Sequence, residues 1–346
     1  MRTRDIYMDI SKIGEALGAS IVDAAAVLGV VPTQGSNPLF EFEDEWIGYS
    51  FFRQQGFALS FCDGAFYRDD ETTLGDEKIL TTVLFYNDEN YYHHKDYQGN
   101  LPGSVCFSDD HAAVVARLGQ PQWKFVQYGR VVCARWDVEH YWILSFYDLT
   151  GYGIKHLQVG WNPPSPVAPT ALRVKLHGYP DFDVVCPLLR KPVSDVALTQ
   201  ALSGFHLSEV TSAKPADWYV QIDHTMDKGV ELFFDCPRPP DPPGVFLFSG
   251  IKYFRRGVFG SPGFVGRLPH GVEFGFKPER LLELLGNPVT GNVKEHSGYY
   301  VWNFSEYLLH VMFSVQEQRV DRVTIMLHPY HSESFLKDHL IVDAQI

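Results

Sequence analysis

The chain repeats itself, and no other feature constrains its fold as tightly. Leu101-Pro102-Gly103-Ser104-Val105-Cys106-Phe107 is followed by a short helical stretch and then Leu118-Gly119-Gln120-Pro121. Leu268-Pro269-His270-Gly271-Val272-Glu273-Phe274 is followed by a stretch of equal length and then Leu285-Gly286-Asn287-Pro288. Leu, Pro, Phe, Leu, Gly and Pro recur in the same order and at the same spacing. Six matches without a gap mark an internal duplication.

Each cassette encodes a helix with defined ends. In the second copy Pro278 stands at a first helical position, which suits its fixed φ and missing N–H. Glu279 falls in the favoured first turn, and Leu281, Leu282, Leu284 and Leu285 form an apolar stripe. Gly286 closes the helix and Pro288 prevents its continuation. In the first copy Ser108 or Asp109 is the expected cap, Val114, Val115 and Leu118 the stripe, and Gly119 with Pro121 the stop. Strands follow each helix, with a Trp and a Tyr five residues apart: Trp136 and Tyr141, then Trp302 and Tyr307. The unit predicted is a short helix laid on an antiparallel meander.

The duplication extends upstream. Residues 9–29 read as a helix pair, with Ser20 and Asp23 as a capping box and Gly29 as terminator. Residues 46–52, a turn at Gln54-Gln55-Gly56 and residues 57–61 read as a hairpin, and Ile79 to Phe85 as a further strand. In the second half Asp195 to Leu202 answers to the helices. Residues 218–222, a turn at Asp227-Lys228-Gly229 and residues 230–234 answer to the hairpin. Residues 245–248 and 251–254 read as two short strands. The proline-rich stretch 162–170 is the clearest boundary, separating residues 1–161 from 171–346. The expected fold is α+β and internally duplicated, each half an antiparallel meander sheet with short helices packed on one face. Each half divides further into two helix-plus-strand units, four in all.

Composition narrows the class. With 346 residues, 45% of them hydrophobic and 14% aromatic, the chain can bury two sizeable cores. No apolar run approaches the roughly 20 residues of a membrane helix, and no apolar h-region follows the N-terminus. Five scattered cysteines without a Cys-x-x-Cys fit reduced thiols, so a cytoplasmic protein with no membrane partner is expected. The net charge of −13 argues against nucleic acid as partner. It is also uneven: residues 1–161 carry 22 acidic and 12 basic residues (−10), the rest 20 and 17 (−3).

Motifs for chemistry are sparse. His93-His94 and His328-x-x-His331 lack carboxylate or Cys partners at metal spacing, so no metal is assigned. Gly-rich phosphate loops, the dinucleotide fingerprint and Gly-x-Ser-x-Gly are absent, so no catalytic residue and no cofactor is assigned. The repeated Trp residues suit core anchors, with interface hot spots as the other reading. The halves differ in their loops, where binding usually resides. The acidic residues Glu43, Asp44 and Glu45, and then Asp69, Asp70, Glu71, Asp76 and Glu77, have no match in the second half. They are the candidate partner-binding residues, because clustered carboxylates steer a basic surface.

The run Leu-Pro-x-Gly-Val-x-Phe-Gly-Phe-x-Pro-x-x-Leu-Leu-x-Leu-Leu-Gly-Asn-Pro over residues 268–288, followed by a Trp/Tyr meander, resembles bacterial toxin-immunity proteins. Its helix-on-meander pattern is similar to the tandem modules of β-lactamase inhibitor protein and of small outer-membrane assembly lipoproteins. The sequence shows no lipobox Cys, which sets the lipoproteins aside. Size, acidity and the two-half build resemble the immunity partner of a restriction-endonuclease-like nuclease delivered by a type VI secretion system. The resemblance implies a non-enzymatic inhibitor that binds a cognate toxin, and it brings no catalytic residues. The alternatives are a small-molecule hydrolase or ligand-binding protein using a cleft between the halves, and a secretion-system scaffold or chaperone.

Overall fold

The computed structural model describes residues 8–30, 40–42, 47–63, 78–87, 95–148, 153–162, 181–213, 219–236, 245–294 and 296–327. The chain divides into two compact units, Met1–Ala171 and Leu172–Ile346, so the division falls at the end of the proline-rich stretch.

The first unit starts with a 3-10 turn, Ile10–Lys12, and two helices, α1 (Ile13–Ala16) and α2 (Ile21–Leu28). Ser20 caps α2: its hydroxyl accepts from the Asp23 N–H at 3.2 Å and donates to the Asp23 carboxylate at 2.8 Å. Gly29 closes the helix in the left-handed region. Strands β1 (Phe40–Phe42), β2 (Ile47–Phe52), β3 (Phe57–Asp63) and β4 (Lys78–Tyr86) follow. Next come helix α3 (His111–Leu118) and strands β5 (Trp123–Gln127), β6 (Arg130–Val138), β7 (Tyr141–Tyr147) and β8 (Ile154–Trp161). The cap of α3 is Asp110, whose carboxylate accepts from the Ala113 N–H at 2.8 Å, and not Ser108 or Asp109. Asp109 is taken up one turn earlier, where it accepts from the Cys106 N–H at 2.7 Å and pairs with Arg117 at 3.1 Å.

The second unit carries α4 (Phe182–Val185), α5 (Val196–Ala201) and α6 (Ser208–Ser212), then β9 (Tyr219–His224), the single turn α7 (Thr225–Lys228) and β10 (Val230–Asp235). It continues with β11 (Leu247–Phe254), helix α8 (Pro278–Leu285), β12 (Thr290–Val293), β13 (Ser297–Asn303), β14 (Tyr307–Ser314) and β15 (Arg319–Leu327). The blocks 245–248 and 251–254, which the residue pattern splits, meet in one strand, Leu247–Phe254, with Val245 and Phe246 ahead of it. A bulge opposite Phe233/Phe234 absorbs Ser249 and keeps Gly250 in the ladder. Gly250 has no room for a side chain, because a Cβ would lie 2.5 Å from the Ile325 carbonyl oxygen.

Both sheets are antiparallel, and strand for strand they are the same. The first runs β1-β2-β3-β4-β8-β7-β6-β5 and the second β9-β10-β11-β15-β14-β13-β12, so among the described residues only β1 is extra. The two expected sub-units of each half are therefore one sheet, joined where β4 pairs with β8 and β11 with β15. Irregularities recur too. The bulge at Ser60/Phe61 corresponds to that at Phe233/Phe234, and the one at Phe146/Tyr147 to Met312/Phe313. Gly56 and Gly229, both at positive φ, accept from the Tyr86 and Phe254 N–H groups at 2.9 Å. Gly18 and Arg190, ahead of the second helix, donate to Leu80 and Phe248 at 2.8 and 2.9 Å. Phe182 to Leu188 thus matches Ile10 to Ala16, a correspondence hidden in the sequence because no residue type is shared at its ends.

The helices cover one face of the first sheet. Ala16, Ala24, Leu28 and Val114 pack with Leu59, Val83, Phe85, Ile143, Leu157 and Val159, all buried. The opposite face of β2–β4 gathers Tyr49, Ala58, Leu84 and Tyr86. Apolar side chains on both faces explain why β4 reads as a nearly continuous hydrophobic run.

One device pins helix to sheet in each unit. Gly119 (φ 83°, ψ −168°) and Gly286 (φ 74°, ψ −164°) end α3 and α8 in a region that side-chain-bearing residues avoid. The carbonyl each exposes is taken by an indole N–H: Trp136 to Gly119 at 2.9 Å, Trp302 to Gly286 at 3.0 Å. Gly119→Ala or Gly286→Ala is expected to cost about 1–3 kcal/mol, since nothing crowds either Cβ and only the backbone objects. Trp136→Phe or Trp302→Phe should cost about 1 kcal/mol for the lost hydrogen bond. Urea unfolding followed by circular dichroism reads both; an unchanged midpoint in the glycine variants would contradict a conformational role.

Candidate functional site

The acidic candidates Glu43, Asp44, Glu45, Asp69, Asp70, Glu71, Asp76 and Glu77 lie outside the described residues. The strand ends that bracket them are described. β1 ends at Phe42 and β2 begins at Ile47; β3 ends at Asp63 and β4 begins at Lys78. Ile47 pairs with Cys62, and Asp63 with Lys78, so these ends stand side by side at one end of the first sheet. Trp161 and its partner Tyr141 mark the same end on β8 and β7.

At that end of the sheet the first cassette shapes a cavity of about 760 Å³. Its walls come from the start of the helix pair (Ile10, Ser11, Ile13 and Gly14), the stretch Gly99 to Phe107, Tyr141 and Val159. The cassette loop is held from behind. Leu101 and Val105 are buried in the core, Phe107 C=O accepts from Ile154 N–H at 2.7 Å, and Asp109 ties the Cys106 amide to Arg117. Asp109 is only 8% exposed, so its two partners hold a buried carboxylate in place. Among the described residues the wall includes Ser11, Asn100, Ser104 and Tyr141, but no Asp, Glu, Lys, Arg or His.

The same positions in the second unit carry rings, with His270 itself exposed on its outer side. Phe182 and His270 stand where the first unit has Ile10 and Gly103, Phe304 stands in place of Val138, and Tyr307 answers to Tyr141. The His270 imidazole stacks on Phe304 with centroids 4.2 Å apart, and its Nε2 shares a 2.7 Å hydrogen bond with the Tyr307 hydroxyl. Phe182 meets Tyr307 edge-on at 5.7 Å. Arg267 latches the arrangement, bonding Asp181 at 3.2 Å and Asp183 at 2.9 Å. Asn100 and Ser11 hold those places in the first unit and form no such pair. Burial pushes the Tyr307 hydroxyl up to about 12 and lowers His270. Tyr307 is 5% exposed under this cover, whereas Tyr141 is half-buried.

Other polar groups serve the scaffold. His224 bonds both carboxylate oxygens of Asp227 at 3.0 Å across the α7 turn. Arg255, at the end of β11, bonds Asp321 at 2.9 Å and Glu317 at 2.8 Å, tying the β15 bulge to the β14–β15 turn. Burial pushes Glu317 up, but Arg255 and Arg319 outweigh it and hold the carboxyl below its ordinary range; burial leaves Asp321 raised. All five cysteines are free. Among the described residues no group of three His, Cys, Asp or Glu side chains could hold a metal ion. His93, His94, His328 and His331 lie outside those residues. No helix among the described residues is long and apolar enough to cross a membrane.

No family model matches the chain, and no curated protein matches it. Among solved structures, a DUF4309 family protein (YjgB) from Bacillus subtilis subsp. subtilis str. 168 is similar at 20% identity and a TM-score of 0.21. The match covers 32% of this chain and 64% of that one, so the chain spans less than two thirds of that protein.

The ring stack makes a measurable prediction. His270 is expected to titrate below the ordinary 6.5, because burial disfavours its charged form. Phe304→Ala, which uncovers the ring, should move the midpoint back up. Histidine NMR titration reads both, and a wild-type midpoint above 6.5 would contradict the stack.

Proposed function

We propose that this protein is a stoichiometric inhibitor: an immunity protein that binds a cognate bacterial toxin in the cytoplasm of the cell it protects. The observation that carries the reading is the adjacency of the strand ends that bracket the two acidic segments. The first unit also holds the larger share of the negative charge, −10 against −3. In the duplicate the corresponding β10–β11 connection contains the proline run 237–243, and β1 has no counterpart among the described residues. One copy of the scaffold has thus gained charge where the other has not.

A nuclease is the toxin class that suits such a surface. A cleft that binds phosphates is basic, and carboxylates presented on a rigid sheet end compete for it as nucleic acid would. The inhibitor needs no catalytic group of its own, in keeping with a scaffold whose repeated residues are Trp, Tyr, Phe, Leu, Gly and Pro.

Affinity capture from the native bacterium, followed by mass spectrometry, tests the reading. A single partner is expected, forming a complex of fixed stoichiometry when both are purified and killing cells when expressed without this protein. Recovery of no partner, or only of a loose assortment, would overturn it. With the partner in hand, the triple substitution D69N/D70N/E71Q should weaken binding at least tenfold at low salt and flatten its salt dependence. Unchanged affinity at low salt would remove those residues from the interface.

A further inference from the structure

The second unit shows what the first unit's cavity has room for. At the cassette the two backbones are alike: Gly103 has φ 71° and ψ 16°, His270 φ 55° and ψ 21°. The difference is one of side chains. Where the second unit stacks His270 on Phe304 and sets Phe182 edge-on to Tyr307, the first has Ile10, Gly103 and Tyr141 around the cavity, and Val138, at the Phe304 position, is no part of the wall. Non-glycine residues rarely enter the left-handed region, so His270 is kept there by its stack and its bond to Tyr307. The first unit keeps the tyrosine and omits the ring that it bonds.

We propose that this cavity binds a small, neutral, planar aromatic molecule with a hydrogen-bonding edge, seated as Phe182 and His270 are seated in the second unit. Three observations fix the class. The volume, about 760 Å³, lies within the range of small-molecule sites and exceeds what one side chain fills. Among the described residues no ionised side chain lines the wall, so a charged ligand would be desolvated there without a partner. Tyr141, Asn100 and Ser104 supply neutral donors and acceptors around apolar Ile10, Ile13 and Val159, which is the complement of a heterocycle: a π-face and a polar edge. The inference does not rest on the inhibitor reading and survives its failure.

Benzimidazole and indole are suitable probes, with benzoate and benzylamine as charged controls, each titrated against the full chain by saturation-transfer NMR. Saturable binding of the two neutral probes is expected, at least tenfold tighter than that of either control. Gly103→His should abolish it by rebuilding the plug; its Cβ would meet the mobile end of Leu118 at 2.5 Å, which a rotamer change relieves. His270→Gly should add a second binding event in the other unit, since glycine suits that backbone. Should Gly103→His fail to fold, Tyr141→Phe is the substitute. It should weaken benzimidazole severalfold while circular dichroism stays unchanged. Absence of saturation in the folded wild type, equal binding of charged probes, or unchanged binding in Gly103→His or Tyr141→Phe would each overturn the assignment.

Discussion

The indole-to-glycine hydrogen bond is the constraint on which each unit depends. A helix must leave its last carbonyls without partners, and the turn that follows α3 and α8 demands a glycine conformation. Trp136 and Trp302 reach from the second strand of the meander to the carbonyl so exposed. One bond therefore sets the angle between helix and sheet. The loop ahead of the helix inherits that position, which is why the cassette begins with a buried leucine and ends with a glycine. Tryptophan answers two demands at once, filling the core and supplying a donor at the right depth. That accounts for its recurrence better than a surface role does.

The two copies have used the freedom left to them differently. In the second unit the bulge residue Asp321 and the strand-end residue Arg255 form a buried ion pair, whereas Lys155 and Asn87 hold the equivalent places in the first. There the strand-end side chain donates from an amide to the Ile154 carbonyl at 3.0 Å. Charge pairs cost desolvation and gain geometry. The second unit thus closes this corner with a buried ion pair, and the first with an amide hydrogen bond. Arg267 adds ion pairs at the cassette of the second unit, where the first has Asn100.

Much of this was legible in the residues themselves. Pro278, Gly286, Ser20 and Gly29 act by local backbone chemistry, so the helix ends they mark are where the sequence puts them. Hairpins were legible for the same reason. What escaped was non-local. Whether Asp109 or Asp110 caps α3 turns on Arg117, about two turns later, competing for the first carboxylate. The union of two meanders into one sheet rests on β4 meeting β8, for which no local signal exists. Ser249 and Gly250 look like a break, and only the opposing strand makes them a bulge. The cavity is the extreme case, because its signature is a glycine where the duplicate has a histidine, and the alignment of the copies alone does not say that the difference leaves a space.

The recurrence of both bulges at equivalent places also bears on how the chain reaches its fold during synthesis. β4 is an inner strand of the finished sheet, yet Tyr86 waits for His156, the residue it will face, to leave the ribosome. Until then its apolar edge stands open. β15 presents β11 with the pairing pattern that β8 presents to β4, bulges included, so the later half displays a ladder in nearly the correct register for the earlier one. A duplicated sheet thus carries its own decoy. Synthesis in sequence order delivers β8 to β4 before β15 exists.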